Sequence, residues 1–456
     1  MKRTGTAILI AGLLSGCGAG PRPELPAQSA VTAPAQWREG AGATAPIDAE
    51  WWRQFGDPAL DALVSRALAR NVDLLLAGTR IAEARAQFRL AESRTEPSVG
   101  VGGNFGRNRS VNAFGQGVDQ NQASGQLSIA YEVDLFGRLS AATDASRKSL
   151  IASAFARDGV RVTLISTLVS GYVALRGLDA QLAIVEDTLK SREAELALIR
   201  RRFQAGYAGQ LELRQAEIAY EATARLVPAT RLSITRQENA LSLLAGDAPG
   251  PIARGKPLDA LVGIDVPTAL PSDLLRQRPD IAEAEMRLAA SDRSLDAARA
   301  AFMPSFQLSA TGGGVASSLL GDPISLFSLG GSILAPLFRG GQLRADADAA
   351  TARRDAAAFT YRKTVLTAFG EVEDMMATLQ RLGEESASLD RQLDANRASF
   401  ALAQRRYRAG YASYLDQLDA ERSLLDAELQ RVNLQSQRLA SVVGLYRSLG
   451  GGWRRN

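Results

Sequence analysis

The sequence of 456 residues predicts a mainly α-helical protein that also contributes strands to a membrane β-barrel. Three observations predict this fold class. The octapeptide at 201–208 recurs in similar form at 405–412, an offset of 204 residues. The segment 342–408 contains no proline, and four other segments alternate apolar with polar residues. Together these features predict two internal repeats, each with very long helices and two short strands.

The N-terminus has the features of a bacterial lipoprotein signal. Residues 1–16 begin with basic residues and continue with a short apolar run, which is typical of a secretory signal peptide. Cys17, the only cysteine, follows Leu-Ser-Gly and resembles the lipidated cysteine of a lipobox. Gly18 stands where an inner-membrane retention signal usually has Asp, which favours the outer membrane. The alternative is an incidental cysteine in a plain signal peptide. Residues 17–50, rich in Pro, Ala and Gly, are expected to form an extended lipidated tether.

The rest of the chain divides into two repeats with one plan: a helix, two strands, a very long helix and a further helix. Besides the octapeptide, the spacing from Asp73 to Pro97 is repeated from Asp280 to Pro304. The predicted boundaries are 51–250 for the first repeat, 251–278 for a linker, 279–449 for the second repeat and 450–456 for a C-terminal tail.

The strands are predicted at about 97–107, 125–136, 304–314 and 326–338. The second is the clearest, because Leu127, Ile129 and Tyr131 alternate strictly with polar or small residues. Segments of this length and pattern suit tilted membrane strands. Four strands cannot close a barrel, and open edges are not tolerated in lipid, so copies of the chain must pool their strands. Three copies would supply twelve. The alternative is a soluble protein with two antiparallel hairpins beside a helical bundle.

The long helices carry a heptad seam. Apolar residues keep 3,4 spacing from Leu175 to Phe203, with Arg192 as the polar exception, and the second copy is interrupted by Ser386 and Asn396. A sustained period of about 3.5 residues predicts helices that supercoil against neighbours. Pro228 is expected to kink the helix that follows the first long one. A long soluble coiled coil explains these helices equally well.

The composition excludes several classes of function. The chain has no His and one Cys, which removes Ser-His-Asp and Cys-His catalysis, His-ligated zinc and an internal disulfide framework. The net charge of +4, without a basic cluster, does not indicate nucleic-acid binding. Residues 250–257 match most of a phosphate-binding P-loop, but Pro257 replaces the Ser/Thr that would hold Mg²⁺. We therefore expect no enzyme activity, no metal site and no cofactor other than the covalent lipid on Cys17.

Five segments carry a family resemblance. They are Trp51–Pro58, Leu270–Leu275, Arg278–Ile281, Ala298–Ser305 and Tyr407–Tyr411. They resemble the TolC-like outer-membrane factor family, most closely its lipoprotein (NodT/OprM-like) efflux branch, over nearly all of the mature chain. The resemblance implies a homotrimer in the outer membrane of a Gram-negative bacterium. It would have a twelve-strand β-barrel, an α-helical barrel across the periplasm, and an equatorial region that includes the linker and the C-terminal tail.

The two octapeptides fall in predicted turns at 204–210 and 408–414, between long helices. Gly206 and Gly410 can take the left-handed conformation that ends a helix. The family places such hairpins at the periplasmic tip, where the channel is gated and a periplasmic adaptor protein binds. The resemblance therefore assigns the adaptor contact to these glycines and to the tyrosines that follow them, Tyr207 and Tyr411.

The resemblance also indicates a gate. Asp416 and Asp419 share a helix face and match the acidic constriction ring of the family, which threefold symmetry would turn into six carboxylates. The alternative is a solvated acidic face near a helix N-terminus, where the dipole favours Asp. Glu212 is the first-repeat equivalent of Asp416, and Tyr407 matches a tip tyrosine, although a hydrophobic seam position accounts for it nearly as well. The sequence departs from the family at Ala412, where other members can carry a basic residue.

The predicted function is that of the outer-membrane channel of a tripartite efflux system, a passive duct for small molecules. Its expected partners are two further copies of the chain, a periplasmic adaptor, an inner-membrane pump of the RND type and outer-membrane lipid. One alternative is an outlet for type I protein secretion, which shares the fold. A second is a periplasmic coiled-coil scaffold held by its lipid alone.

Overall fold

The computed structural model of the chain describes residues 21–38, 47–261 and 271–455. The signal peptide at 1–16 and Cys17 lie outside the described residues, so lipidation stays a prediction.

Two similar halves follow one another along the chain. The elements are α1 (Pro58–Arg70), α2 (Val72–Glu92), β1 (Ser98–Val111), β2 (Gly117–Val133), α3 (Arg138–Gln204), α4 (Gln210–Ala224), α5 (Leu226–Leu244), α6 (Pro271–Gln277), α7 (Pro279–Ala300), β3 (Ser305–Ser317), β4 (Ile324–Leu334), α8 (Gln342–Arg408) and α9 (Tyr414–Ser448). Helices make up 67% of the described residues, which also include two strands in each half. The helices α3 and α8 are both 67 residues long and begin 204 positions apart. The predicted repeats, long helices and strands are confirmed.

The chain divides into two compact units, each containing parts of both halves. The first holds the strands and comprises 79–154, 283–363 and the N-terminal residues up to 31. The second comprises 32–78, 155–282 and the residues from 364 onward.

The first unit contains an antiparallel sheet in the order β1-β2-β3-β4. Its central pair, β2 and β3, joins the two halves, with Val133 opposite Phe306. Phe105 and Phe327 lie on the same face as this pair and are 93% and 90% exposed. Among the described residues, β1 and β4 each pair with one strand only. A single chain therefore has an open sheet with an uncovered apolar face.

The predicted strand ends are wrong by several residues. Pairing of β1 with β2 continues to Val111 and Gly117, because the Asn112 side chain accepts hydrogen bonds from backbone amides of the connecting turn. Conversely, β2 stops at Val133, because the Asp134 carboxylate accepts from the first amides of α3. Likewise β3 runs on to Ser317, while β4 begins at Ile324 and ends at Leu334, two residues before a proline that cannot donate to a ladder.

The second unit has its largest apolar core around Trp51, Trp52 and Phe55. The core also takes side chains from α1, α3, α5 and α9, and Trp51 stacks on Tyr446 with ring centroids 4.7 Å apart. The family-like segment that begins at Trp51 therefore builds the core.

The P-loop-like segment has a structural role in this unit. Asp57 is fully buried at the N-terminus of α1, where it accepts from two backbone amides of the helix and, at 2.9 Å each, from the Tyr172 hydroxyl and the Lys256 amide. A Cβ on Gly255 would lie 1.8 Å from the Asp57 carboxylate, so only glycine fits there. The segment wraps a carboxylate of the chain itself.

The described part of the predicted tether is held against α8. In the first unit, the buried Arg354 donates to the carbonyls of Pro23 and Glu24 at 2.6 and 2.8 Å. In the second unit, Trp37 is buried beside Phe369. Residues 21–38 of the predicted extended tether are therefore attached to α8: proline-rich backbone leaves its carbonyls available, and a guanidinium on α8 binds them.

One residue interrupts the helix near Pro228, where a kink was expected, and this residue, Arg225, keeps helical dihedrals of φ −66° and ψ −23°. The helix α4 ends at Ala224 and α5 begins at Leu226. Ala224 is four residues before Pro228, the position whose carbonyl a proline ring displaces and leaves without an amide partner.

Candidate functional site

The two helix hairpins of the second unit end in turns of the same geometry. Between α3 and α4, Gly206 has a φ of 79°, and between α8 and α9, Gly410 has a φ of 78°. The amides of Tyr207 and Tyr411 each donate at 2.8 Å to the carbonyl five residues earlier. This is the Schellman arrangement, which needs a left-handed residue and is favoured by glycine. The octapeptide repeat therefore encodes two equivalent helix ends.

Both turns present a tyrosine to solvent. Tyr207 is 85% exposed and Tyr411 is 79% exposed. Because an aromatic side chain at a tight turn has little of its own chain to pack against, these two residues are available for contact with another protein.

Tyr407 links the two halves of the chain. Its hydroxyl donates a short hydrogen bond to the Glu212 carboxylate at the start of α4. Arg202, near the end of α3, donates to the same hydroxyl at 3.3 Å and lies 5.5 Å from the ring centroid. Burial and the nearby Glu212 charge raise the pKa of Tyr407 to about 12, so the hydroxyl keeps its proton. Tyr407 and Glu212 were predicted from the sequence, whereas Arg202 was not, although the octapeptide contains it.

Asp416 and Asp419 lie on the exposed side of α9. Asp416 forms a capping box with Ser413: the Ser413 amide donates to its carboxylate at 2.9 Å, and the Asp416 amide donates to the serine hydroxyl at 3.3 Å. The Ser413 hydroxyl and amide lower the pKa of Asp416, so it stays ionised. Asp419 has no hydrogen-bond or ion-pair partner within the described part of the chain. One protomer thus leaves two carboxylates facing outward near the tip.

Comparison with known proteins decides the family. The model of the outer membrane efflux protein family matches residues 63–247 and 270–451. The chain belongs to this family. It is an outer-membrane efflux channel protein and not an enzyme.

Relatives with known roles cover almost the whole chain. The antibiotic efflux pump outer membrane protein ArpC of Pseudomonas putida is 34% identical, over 97% of this chain and 94% of its own. The cation efflux system protein CusC of Escherichia coli is 32% identical, over 89% of each chain. The structure of the outer-membrane channel OprN matches with a TM-score of 0.87 at 31% identity, over 95% of this chain and 99% of its own.

A second group of polar side chains in this efflux protein lies inside the tip hairpins and was not predicted from the sequence. We call it the tip cluster: Arg192 and Glu195 on α3, with Gln417 and Glu421 on α9. Arg192 and Glu421 are each 5% exposed. The only sequence indication was that Arg192 interrupts an apolar seam; its partners are distant in sequence, so spacing could not reveal them.

Proposed function

We propose that the protein is a passive duct made of three copies of this chain, which carries small molecules out of the cell envelope. The observation that carries the proposal is the open sheet of the first unit. Its edge strands β1 and β4 have one neighbour each among the described residues, and three such sheets would close a barrel of twelve strands.

The exposed apolar face supports a membrane location for this sheet. Side chains such as Phe105 and Leu329, 93% and 85% exposed, would face lipid, and the opposite face would line a water-filled lumen. A soluble coiled-coil scaffold would leave these side chains in water, at a cost of roughly 25 cal/mol per Å². The scaffold alternative therefore leaves this face unexplained.

We place the gate at the two tip hairpins. Three copies would bring together six carboxylates from Asp416 and Asp419, which would attract cations and narrow the entrance. The bonds from Tyr407 to Glu212 and Arg202 would hold α8 against the first hairpin and keep the entrance closed. The exposed Tyr207 and Tyr411 would contact a periplasmic adaptor, and an inner-membrane pump of the RND type would supply the cargo.

The duct itself would leave most of the choice of cargo to its pump. Relatives of similar identity are named for different cargo: antibiotics for ArpC, cations for CusC. Among the described residues, no group of three or more His, Cys, Asp and Glu is placed to hold a metal ion.

Purified oligomer in planar lipid bilayers tests the proposal. We expect discrete conductance steps, and a larger conductance with weaker block by divalent cations when Asp416 and Asp419 are both changed to Ala. Both carboxylates are exposed in the protomer, so the fold should survive, and circular dichroism checks this. A folded oligomer that never conducts, even with both substitutions, would refute the duct.

A further inference from the structure

The tip cluster lies where three helices pack. Arg192 on α3 donates to the carbonyl of Ala219 at 2.8 Å and to the Thr223 hydroxyl, both on α4. Its Nε lies 3.4 Å from a carboxylate oxygen of Glu421 on α9. One side chain thus joins the first hairpin to the helix that carries the acidic gate residues.

A second contact runs alongside the first. The Gln417 side-chain amide donates a short hydrogen bond to the Glu195 carboxylate, one turn along α3 from Arg192. Gln417 is 4% exposed and lies one residue from Asp416 in sequence. A change in the tip cluster therefore acts directly on the first two turns of α9, which present Asp416 and Asp419.

The charges of the tip cluster do not balance when all groups are ionised. Two carboxylates, Glu195 and Glu421, share one guanidinium, that of Arg192. Several polar atoms are buried without a hydrogen bond in the described residues: Nε and Nη2 of Arg192, one carboxylate oxygen of Glu421 and the amide oxygen of Gln417. The Arg192–Glu421 contact is therefore an ion pair without good hydrogen-bond geometry. A buried excess charge is costly, and binding one proton removes it.

Burial and charge decide where that proton sits. Burial, and then the charge of Glu421, raise the pKa of Glu195 to about 7, against the opposing effects of Gln417, Arg192 and Arg408. Burial also raises the pKa of Glu421, against Arg192 and Arg422. Tyr414, at the start of α9, has a pKa raised by burial and by both carboxylates, so it stays neutral. Glu195 is the group that changes charge near neutral pH.

The second repeat shows what a purely structural residue does at this position. Asn396 on α8 is the repeat equivalent of Arg192, and it donates at 3.1 Å to the carbonyl of Ser423, the equivalent of Ala219. A neutral amide therefore suffices to join a long helix to its hairpin partner. In the first repeat, the arginine also brings a charge to α9. Packing of the long helix against its hairpin partner does not require this charge.

We propose that the tip cluster is a proton-dependent latch on the gate, in which Arg192 positions α9 and loss of the proton from Glu195 loosens it. The inference rests on the proposed duct, because its consequence is opening at the tip. It makes Arg192 and Glu195 positioning residues for Asp416 and Asp419. Loss of a proton from the cluster leaves both the half-buried Glu195 on α3 and the buried Glu421 on α9 ionised.

The direction of the pH effect follows from the raised pKa. The latched state binds a proton that an open, hydrated cluster releases at the ordinary value of 4.5. Latching is therefore strongest below that value and weakens as pH rises towards about 7. Between pH 4.5 and about 7, the ratio of latched to open channels falls by at most about tenfold per pH unit. Above about pH 7 this ratio changes little.

Single-channel recordings of Glu195→Gln test the latch between pH 5 and 8. Glutamine has the shape of the protonated acid and can still accept from Gln417. We expect the open probability of the unsubstituted duct to rise with pH, and that of the variant to stay low and flat. Glu193→Gln is the matched control, because Glu193 is exposed on the same helix turn and should leave the rise unchanged. Equal pH profiles for the unsubstituted duct and Glu195→Gln would overturn the latch.

A second variant and a second measurement test the latch independently of the duct. Glu421→Gln removes the like charge, so the pH midpoint should move to lower pH; an unmoved midpoint contradicts the coupling. Hydrogen exchange of peptides from 414–421, corrected for the intrinsic pH dependence, should show protection lost between pH 5 and 8 and kept in Glu195→Gln. Exchange needs no conduction. A folded oligomer that does not conduct but shows pH-dependent protection refutes the duct. A conducting oligomer whose protection does not change with pH refutes the latch.

Discussion

At the scale of single residues, a difference between the two repeats sets the contacts of the tip. Tyr407 and Glu212 form a hydrogen bond between halves. The repeat equivalents of these residues are Phe203 and Asp416. Phenylalanine has no hydroxyl to donate, and Asp416 instead caps its own helix with Ser413. These differences between the repeats leave Glu212 bound across the two halves, while Asp416 is bound within its own helix turn on the exposed side of α9.

Changing Tyr407 to Phe tests whether this bond helps to keep the duct closed. The variant keeps the ring and its packing but loses the hydroxyl, so Glu212 and Arg202 lose a shared partner. A hydrogen bond to a charged group at a half-buried site is worth about 1–2 kcal/mol, so open probability in planar bilayers should rise roughly tenfold. Tyr411→Phe is the control, because its hydroxyl is exposed and has no partner in the described residues. An equal response of both variants would assign no gating role to the Tyr407 hydroxyl.

At the scale of elements, repetition made the helices predictable. The octapeptides locate the ends of α3 and α8, since a glycine in a Schellman turn stops a helix at a defined residue. The strand ends depend on side chains of the neighbouring turns, such as Asn112 and Asp134. The alternation of apolar and polar residues does not predict the effect of these side chains. In the heptad seam, Arg192 stood out only as the polar exception. Its contacts with α4 and α9 come from the tertiary packing, so no spacing rule could find the tip cluster.

Changing Arg354 to Met tests the attachment of the N-terminal segment to α8. The variant keeps an apolar stem but loses the guanidinium that binds the carbonyls of Pro23 and Glu24. At about 1 kcal/mol for each lost bond, the segment should detach more often. Hydrogen exchange of a peptide containing residues 24–31 should accelerate severalfold. Arg353→Met is the matched control, because Arg353 is exposed beside it and has no partner in the described residues. Unchanged exchange in Arg354→Met would show that other contacts hold the segment.

At the scale of the whole molecule, the open sheet is the feature that a single chain cannot satisfy. Pairing β1 of one copy with β4 of the next would satisfy both edges and carry the apolar face around a closed surface. The mean hydropathy of the sequence does not reveal this surface, because apolar residues of one face alternate along each strand with polar residues of the other face. Alternation read along each strand made the sheet predictable.

A charge placed on the apolar face separates a membrane barrel from a soluble sheet. Leu329 lies in the middle of β4 and is 85% exposed. In lipid, Leu329→Arg should cost about 2–4 kcal/mol per chain near the bilayer centre and reduce the yield of heat-modifiable trimer in outer-membrane fractions. Ser328→Arg is the matched control, since its side chain points to the opposite face, towards the proposed lumen, and should leave trimer yield unchanged while altering ion selectivity. In water, the same arginine at position 329 would replace an exposed leucine at no cost. A normal yield of Leu329→Arg trimer would therefore show that the face does not meet lipid, and the barrel would have to be abandoned.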